Sequence, residues 1–432
     1  MSSRYIFYGA SLNAHGRLRT WEKMGYMPVC FVDSDVSKHY KMFPARGAGV
    51  GQQYEILPLK DALDRYPNND FIIATEMDNY LPITDHLLRN DVAPCRVKYF
   101  EKVSRYKGCK EIGKRFSYGG NYVGTCCYIG GQNFFSDEPE KLFDELYDYS
   151  AKKIREFKVG IYGACEGCSE LKEGLWLDFP QYDEVCLSVG IEGTRCCCKC
   201  IYCDSTDNAN FNRTNDKGLL DVLKPLKYFQ EKIPGKLRFD MAAGEFFMWR
   251  DCSSVIDALI NESWSASFWI TGKLYTKNLV DLHKAGGVHY INVSLDSGTP
   301  QTYRAVKGVG GFESVLENLR EIGNAGIPIV LKYILIEAVN DNKTDIDGFI
   351  DIAKEVKAEV ALSADFNRKE KVMSKSHLEL FMQLIERCKA SGLQVKLHPG
   401  SFTEHDTEVL YAHMRCNSTE EIAPKPQKRI CK

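Results

Sequence analysis

Five cysteines fall within eight residues of this chain, in the segment CCCKCIYC from Cys196 to Cys203. A packed core does not need so many sulfur atoms in one segment, and thiolates are soft ligands that bind zinc and iron–sulfur clusters. Cys196, Cys200 and Cys203 have the spacing CxxxCxxC. Starting from Cys197 instead gives CxxCxxC. The segment therefore predicts that its cysteines bind something, and both spacings stay open at this point.

A second group of cysteines precedes this segment: Cys109, the pair Cys126 and Cys127, and the CEGC cysteines Cys165 and Cys168. Four thiolates complete either a 4Fe-4S cluster or a tetrahedral zinc site. Cys109, one member of the pair, Cys165 and Cys168 would supply four such ligands. Considered alone, this set favours zinc slightly over iron.

Composition limits the class of protein. The 432-residue chain has 17 cysteines and a formal net charge of −2. Disulfide scaffolds belong to small secreted domains, and a nearly neutral chain supplies no basic field for nucleic acid. No apolar run reaches the ~18 residues of a membrane span, and MSSRYIFYGA lacks a signal-peptide layout. We therefore expect a cytoplasmic protein that binds neither nucleic acid nor membrane.

Strands and helices alternate over residues 183–400 and must position the cysteine segment. The predicted strands are EVCLSVGI, KLRFDMAAGE, ASFWITG, YINVSLDSG, PIVLKYILI, AEVALSA and, as a possible seventh, QVKLHP. Six βα repeats predict an α/β fold, a partial (β/α)6-type TIM barrel whose functional loops follow the strands' carboxyl ends. The cysteine segment follows the first of these strands. It therefore lies where this architecture places a site.

An additional α/β domain is predicted for residues 1–103. RYIFYGA and MPVCFVDSD read as parallel strands joined by a helix, and PLKDALDRYP and DFIIAT extend the pattern. The loop Gly9 to Gly16 and Asp33 occupy the positions that bind phosphate and ribose in Rossmann folds, but GxGxxG is absent. This Rossmann-like domain therefore either binds a nucleotide or serves as a scaffold, and we favour the scaffold.

Two further segments complete the domain assignment. Residues 104–182 predict a hairpin, a helix over EPEKLFDELYDYSAKKIREF and the CEGC motif, which together form a small cysteine-rich module. Residues 401–432 predict a C-terminal tail without chemistry, because terminal segments are commonly loosely held.

The CxxxCxxC motif with aromatic Tyr202 resembles the signature of the radical SAM superfamily. Four later stretches resemble further family motifs in the same order: AGE, ITG, SLDSG and TYR. The resemblance implies that Cys196, Cys200 and Cys203 hold three irons of a 4Fe-4S cluster and that S-adenosylmethionine (SAM) binds the fourth. It also favours a second 4Fe-4S cluster over zinc, because residues 104–182 are similar to the auxiliary SPASM or twitch modules, which here precede the barrel.

The same resemblance implies the contacts of SAM. Ala243, Gly244 and Glu245 would meet its amino group, with alanine replacing the first glycine of the family's GGE. Ser294 and Asp296 would meet its ribose or carboxylate. Arg304 would pair with the carboxylate, which a guanidinium binds in bidentate fashion. The full set of implied cofactor contacts is Tyr202, Ala243, Gly244, Glu245, Thr271, Ser294, Asp296 and Arg304.

The implied activity is radical chemistry on a sugar, a nucleotide-linked molecule or a peptide. The reduced cluster gives one electron to SAM, and the resulting 5'-deoxyadenosyl radical abstracts hydrogen from the substrate. A second cluster that accepts the remaining electron makes the net reaction an oxidation, whereas zinc favours an epimerisation or rearrangement. A reductant such as flavodoxin or ferredoxin is an expected partner. Two other classes stay open: a non-catalytic protein that binds zinc and nucleotide, and an NAD-dependent sugar-nucleotide enzyme.

Overall fold

The computed structural model describes most of the chain. The described residues are 4–11, 14, 17–18, 21–22, 24–43, 52–109, 111–119, 121–126, 131–166, 168, 171–187, 196–203, 219–233, 236–241, 245–365, 372–398 and 401–416. Among them, no helix is long and apolar enough to cross a membrane.

The N-terminal part is a six-stranded sheet with helices. Its elements are β1 (Arg4–Tyr8), β2 (Met27–Val32), β3 (Met42–Phe43), β4 (Tyr54–Leu57), α1 (Leu59–Arg65), β5 (Asp70–Ile73), α2 (Tyr80–Arg89) and β6 (Val97–Lys98). The strand order is β3-β4-β2-β1-β5-β6, and every pair except β3–β4 is parallel. The strands predicted between residues 1 and 103 are present.

Asp33 directly follows β2, and its carboxylate is engaged by its own domain. One oxygen accepts from the backbone N–H of Ala10 at 2.8 Å and from Lys38 at 3.0 Å, and the other accepts from the N–H of Asp35 at 2.9 Å. The carboxylate thereby ties the chain after β1 to the turn after β2. This use agrees with a scaffold, and nucleotide binding at this position stays a prediction.

The next segment joins the two halves of the molecule. It contains β7 (Val103–Gly108), β8 (Arg115–Tyr118), β9 (Tyr122–Gly124), β10 (Asn133–Phe135), α3 (Pro139–Lys158) and β11 (Lys172–Leu177). β7 and β11 form an antiparallel ribbon whose Tyr106 and Trp176 belong to the N-terminal core. β8 and β9 form the predicted hairpin, but β8 also pairs in parallel with the first predicted barrel strand. Residues 104–182 therefore contribute to both cores.

The remaining elements form the partial barrel. They are β12 (Glu184–Leu187), α4 (Leu219–Leu223), α5 (Leu226–Lys232), β13 (Arg238–Met241), α6 (Cys252–Glu262), β14 (Ser265–Ile270), α7 (Asn278–Lys284), β15 (Val288–Ser294), α8 (Pro300–Lys307), α9 (Phe312–Asn324), β16 (Ile329–Leu335), α10 (Lys343–Glu355), β17 (Glu359–Ala364), α11 (Lys375–Ala390), β18 (Val395–Leu397) and α12 (Glu404–Cys416). The sheet order is β10-β9-β8-β12-β13-β14-β15-β16-β17-β18. β8 and the strands from β12 to β18 run parallel, whereas β9 pairs antiparallel with both β8 and β10. The sheet is open in the described part of the chain, as expected for a partial barrel.

Along each strand the side chains alternate between the two faces of the sheet, and helices cover one of these faces. On β15, Ile291 and Val293 belong to the large hydrophobic core, so Asn292 between them faces the other side of the sheet. Helices close the apolar side: α9 buries Phe312, Val315, Leu319 and Ile322, at intervals of three and four residues. The opposite side of the sheet lines the barrel lumen.

Buried charges connect the N-terminal domain to the start of the barrel. Arg17 pairs with Asp183 at 2.8 Å, and Lys114 pairs with Glu101 at 2.5 Å. The hydroxyl of Tyr80 donates to the same Glu101 at 2.8 Å. Because these groups are largely shielded from water, salt screens them less than it screens exposed pairs. The two halves are therefore joined by specific contacts as well as by the chain.

Candidate active site

The cysteine loop, residues 196–203, packs against the last turn of α8. The backbone N–H of Lys199 donates to the carbonyl of Lys307 at 2.8 Å, and that of Ile201 donates to Val306 at 3.0 Å. Gly308 follows the helix with φ +65°, and a Cβ there would lie 2.5 Å from the Lys199 carbonyl oxygen. Only glycine combines that φ with so close an approach at little cost. The loop is therefore held along its backbone.

A largely buried triad anchors the same loop: Asp296 and Lys307 are buried, and Tyr202 is half-buried. The Tyr202 hydroxyl donates to Asp296 Oδ2 at 2.6 Å, and Lys307 Nζ donates to both partners, at 2.5 Å and 2.7 Å. The side chains of Asp296 and Lys307 are 0% and 1% exposed. Burial opposes the charge of Lys307, yet the carboxylate of Asp296 holds its pKa above the ordinary value. The triad fixes the loop to the carboxyl end of β15.

Asp296 also has partners within the protein, and its predicted contact with SAM stays a prediction. Its second oxygen accepts from the N–H of Ile334 at 2.8 Å, so both oxygens are engaged inside the protein. Its φ of +55° is rare outside glycine, and aspartate tolerates that conformation better than most residues. Sequence reasoning missed Lys307, although a lysine that ends a helix directly before glycine was a signal visible in AVKGVGG.

A second network reaches the loop from β14. Glu245 is fully buried, and its Oε2 accepts from both the N–H and the hydroxyl of Thr271, at 2.7 Å and 2.6 Å. The Thr271 hydroxyl lies 3.4 Å from the sulfur of Cys197. Burial raises the pKa of Glu245 to about 7. Ala243 and Gly244, the other predicted residues of this motif, lie outside the described residues.

The comparison with protein families decides the identity of this region. Residues 192–350 match the model of the Radical SAM superfamily. They form a radical SAM domain. The match begins just before the cysteine loop and ends within α10, so it includes every residue of the triad. A 4Fe-4S cluster and SAM are the cofactors of this superfamily, as the sequence motifs predicted.

Curated relatives align with part of the chain at a sequence identity of about a quarter. The "Probable GTP 3',8-cyclase" of Methanosarcina mazei is 27% identical over 236 residues, which are 54% of this chain and 60% of that protein. The GTP 3',8-cyclase of Thermodesulfovibrio yellowstonii is 28% identical over 155 residues, or 35% and 48%. The chain thus spans between 48% and 60% of the length of these two relatives.

Two solved structures align with part of the chain at low TM-scores. Streptococcus suis SuiB bound to its precursor peptide SuiA aligns with a TM-score of 0.42 and 14% identity, over 68% of this chain and 73% of that one. anSMEcpe with bound AdoMet aligns with a TM-score of 0.40 and 12% identity, over 50% and 64%.

The loop cysteines suit the cluster by their chemistry. Cys196, Cys200 and Cys203 are half-buried thiols on one anchored loop, and three thiolates with one open iron position are what SAM binding needs. A hydrogen bond from Cys198 and the nearby ammonium of Lys307 lower the pKa of Cys200 to about 6. In the described part of the chain, no three Cys, His, Asp or Glu side chains are grouped in metal-binding geometry. The assignment of individual ligands stays a prediction.

The other predicted SAM contacts lie at the same edge of the radical SAM sheet. Ser294 ends β15, is half-buried and stands opposite Lys332 of β16. Lys332 is 7% exposed, and burial lowers its pKa. Arg304 is exposed on α8, one turn before Gly308. The contact of Ser294 and Arg304 with SAM stays a prediction.

The second cysteine set is spread over the connecting segment. Cys109, Cys165 and Cys168 are half-buried beside the N-terminal core, and the N–H of Cys168 donates to the carbonyl of Cys165 at 3.1 Å. Cys126 is half-buried just after the β8–β9 hairpin, and Cys127 lies outside the described residues. Burial raises the pKa of Cys165. A metal held by this set stays a prediction.

We expect Glu245 to make stability depend on pH. Its pKa in the folded protein is raised by burial from 4.5 to about 7, so its contribution is fully present below pH 4.5 and is lost as pH rises through 7. Across that window, the free energy of unfolding of the wild type should fall by about 3 kcal/mol relative to Glu245→Gln. Urea unfolding of both proteins at several pH values measures the difference. A difference that does not change with pH would contradict the assignment.

Proposed function

We propose that this protein is a radical SAM enzyme that abstracts hydrogen from a nucleotide-linked small molecule. The anchoring of the cysteine loop by the largely buried Tyr202–Asp296–Lys307 triad is the observation that supports it most directly. A 4Fe-4S cluster held by the loop cysteines would supply the electron for reductive cleavage of SAM. The protein's task is to position these groups and to exclude water and other hydrogen donors.

Each side chain has a separate part in that task. Cys196, Cys200 and Cys203 hold three irons, and the triad keeps their loop against β15. Glu245, once ionised, accepts a hydrogen bond from the SAM ammonium, because a carboxylate only accepts. Arg304 pairs with the SAM carboxylate, and Ser294 contacts the ribose or carboxylate. With these residues assigned to the cluster and to SAM, the substrate would bind in the barrel lumen.

A nucleotide-linked substrate has two supports. The relatives that match the radical SAM domain are GTP 3',8-cyclases, and their name states a nucleotide substrate. The N-terminal sheet gives weaker support: its parallel strand order is that of a nucleotide-binding half, but Asp33 at the ribose position is engaged by its own domain. A cluster on the second cysteine set would take up the electron left on the substrate and make the net reaction an oxidation. Zinc in that place would leave it redox-neutral.

The test uses anaerobically reconstituted protein, dithionite and SAM, with GTP, UDP-glucose and a short peptide as separate candidate substrates. We expect 5'-deoxyadenosine in all cases and more of it with the nucleotide substrates. Deuterium should pass into 5'-deoxyadenosine from ribose-deuterated GTP or from sugar-deuterated UDP-glucose. Transfer from the peptide alone would contradict the nucleotide assignment, and no SAM cleavage at all would contradict the enzyme assignment.

A further inference from the structure

The barrel lumen presents polar and aromatic side chains. Strand residues at alternate positions belong to the outer hydrophobic core, for example Phe268 and Ile270 on β14 and Ile291 and Val293 on β15. The residues between them therefore face inward. On these two strands they are Ser267, Trp269, Asn292 and Ser294. An inner face of this composition suits a polar ligand better than an apolar one.

Charged residues neutralise one another at the floor of the lumen. Arg115 lies 2.6 Å from Asp240 and 3.4 Å from Glu184, and Arg238 pairs with the same Glu184. Arg115, Glu184 and Arg238 are the first residues of their strands, and Asp240 lies two residues after Arg238. Because each of these four charges already has a partner of opposite sign, this described part of the floor offers no free charge to a ligand. A ligand would then be recognised by the side chains that line the lumen above the floor.

Trp269 is one of these side chains. Its indole N–H donates to Asp240 Oδ1 at 2.5 Å, which fixes the ring relative to the floor. The ring of His398 meets it edge to face, at 5.7 Å between centroids and 79° between planes. Trp269 and His398 are both only partly buried. A fixed aromatic ring with remaining accessible surface suits contact with another planar group.

Asn292 stands beside Trp269 on the next strand, as its direct register partner. It is 3% exposed, and within the described residues its amide oxygen has no hydrogen-bond partner. Buried acceptors are nearly always satisfied, and an unsatisfied one calls for an explanation such as a bound ligand. A planar ring with N–H groups next to Trp269 would satisfy it.

We propose that Trp269, Asn292 and His398 form a binding site for a nucleobase, with Asn292 accepting from a ring or exocyclic N–H. This inference rests on the proposed nucleotide substrate. It assigns the residues of the protein that recognise the base of that substrate. The phosphates, which carry charge, lie away from the neutralised floor, toward the open carboxyl edge. The site is a determinant of specificity and takes no part in SAM cleavage.

The experiment measures binding of guanosine and of GTP to reconstituted holoenzyme with SAM, by calorimetry, for the wild type and for Asn292→Leu. Leucine has a similar volume and removes the unsatisfied oxygen, so stability should be unchanged or higher. The dissociation constant of guanosine should rise roughly tenfold. Trp269→Leu should raise it by on the order of tenfold to a hundredfold, whereas Trp269→Phe retains most of the affinity.

Trp264→Phe is the matched control, because this buried tryptophan packs in the outer core against Phe239. SAM cleavage in the absence of substrate is measured on every variant and should not change. Equal guanosine affinity in the wild type and Asn292→Leu, or binding of ribose 5-phosphate but not of guanosine, would overturn the nucleobase site. Absence of SAM cleavage by the wild type would instead overturn the proposed function. The two outcomes are distinguishable, because guanosine binding is measured independently of SAM cleavage.

Discussion

Replacing Cys196, Cys200 and Cys203 together by alanine should abolish the conversion of SAM to 5'-deoxyadenosine. Without these thiolates, the loop retains no set of three ligands for a SAM-binding cluster. The reconstituted variant should lose about four irons per chain relative to the wild type. If about four irons remain, the second cysteine set holds a cluster of its own. Iron and sulfide quantification under anaerobic conditions, with product analysis, measures both quantities.

Cys252→Ala is the control for this experiment, because Cys252 is a half-buried cysteine at the start of α6 that belongs to neither cysteine set. It should keep wild-type iron content and SAM cleavage. Single variants of Cys196 and Cys197 then distinguish the two possible ligand sets, since only the true ligand is essential. Full SAM cleavage in the triple variant would disprove the assignment of the loop.

Asp296→Asn should destabilise the protein by about 3–5 kcal/mol, because it leaves the buried ammonium of Lys307 without its counter-charge. Asparagine keeps the shape of the side chain and tolerates the positive φ, so the change acts mainly through charge. The cysteine loop should loosen as well, since Tyr202 and Lys307 share this carboxylate. Urea unfolding measures the loss, and iron content after reconstitution reports on the loop.

The double variant Asp296→Asn with Lys307→Met tests the physical cause. Removing both charges of a buried pair costs much less than removing one, so the double variant should recover part of the lost stability. Arg320→Gln is a surface control, because its pair with Glu355 is about half exposed and should contribute little to stability. An Asp296→Asn protein as stable as the wild type would contradict the proposed anchoring role.

The spacing of apolar residues along the chain was sufficient to predict much of the fold. The seven barrel strands and the helices α3, α9 and α11 follow from period-two and period-3.6 spacing of apolar residues, which depends only on neighbours along the chain. The cysteine spacing and the order of the later motifs were sufficient for the radical SAM domain. The pairing of β8 with β12 did not follow, because strand partners distant in sequence leave no local signal.

Only the tertiary structure showed which groups particular polar side chains contact. From the sequence alone, Asp296 was predicted to contact SAM, which stays a prediction, and Lys307 was not singled out. Folding buries both and pairs them with Tyr202 from the cysteine loop, 94 and 105 residues away from it. Likewise, Asn292 is one polar residue in a strand until its neighbours exclude water from it. Burial and long-range proximity decide these roles, and neither is encoded in the spacing of nearby residues.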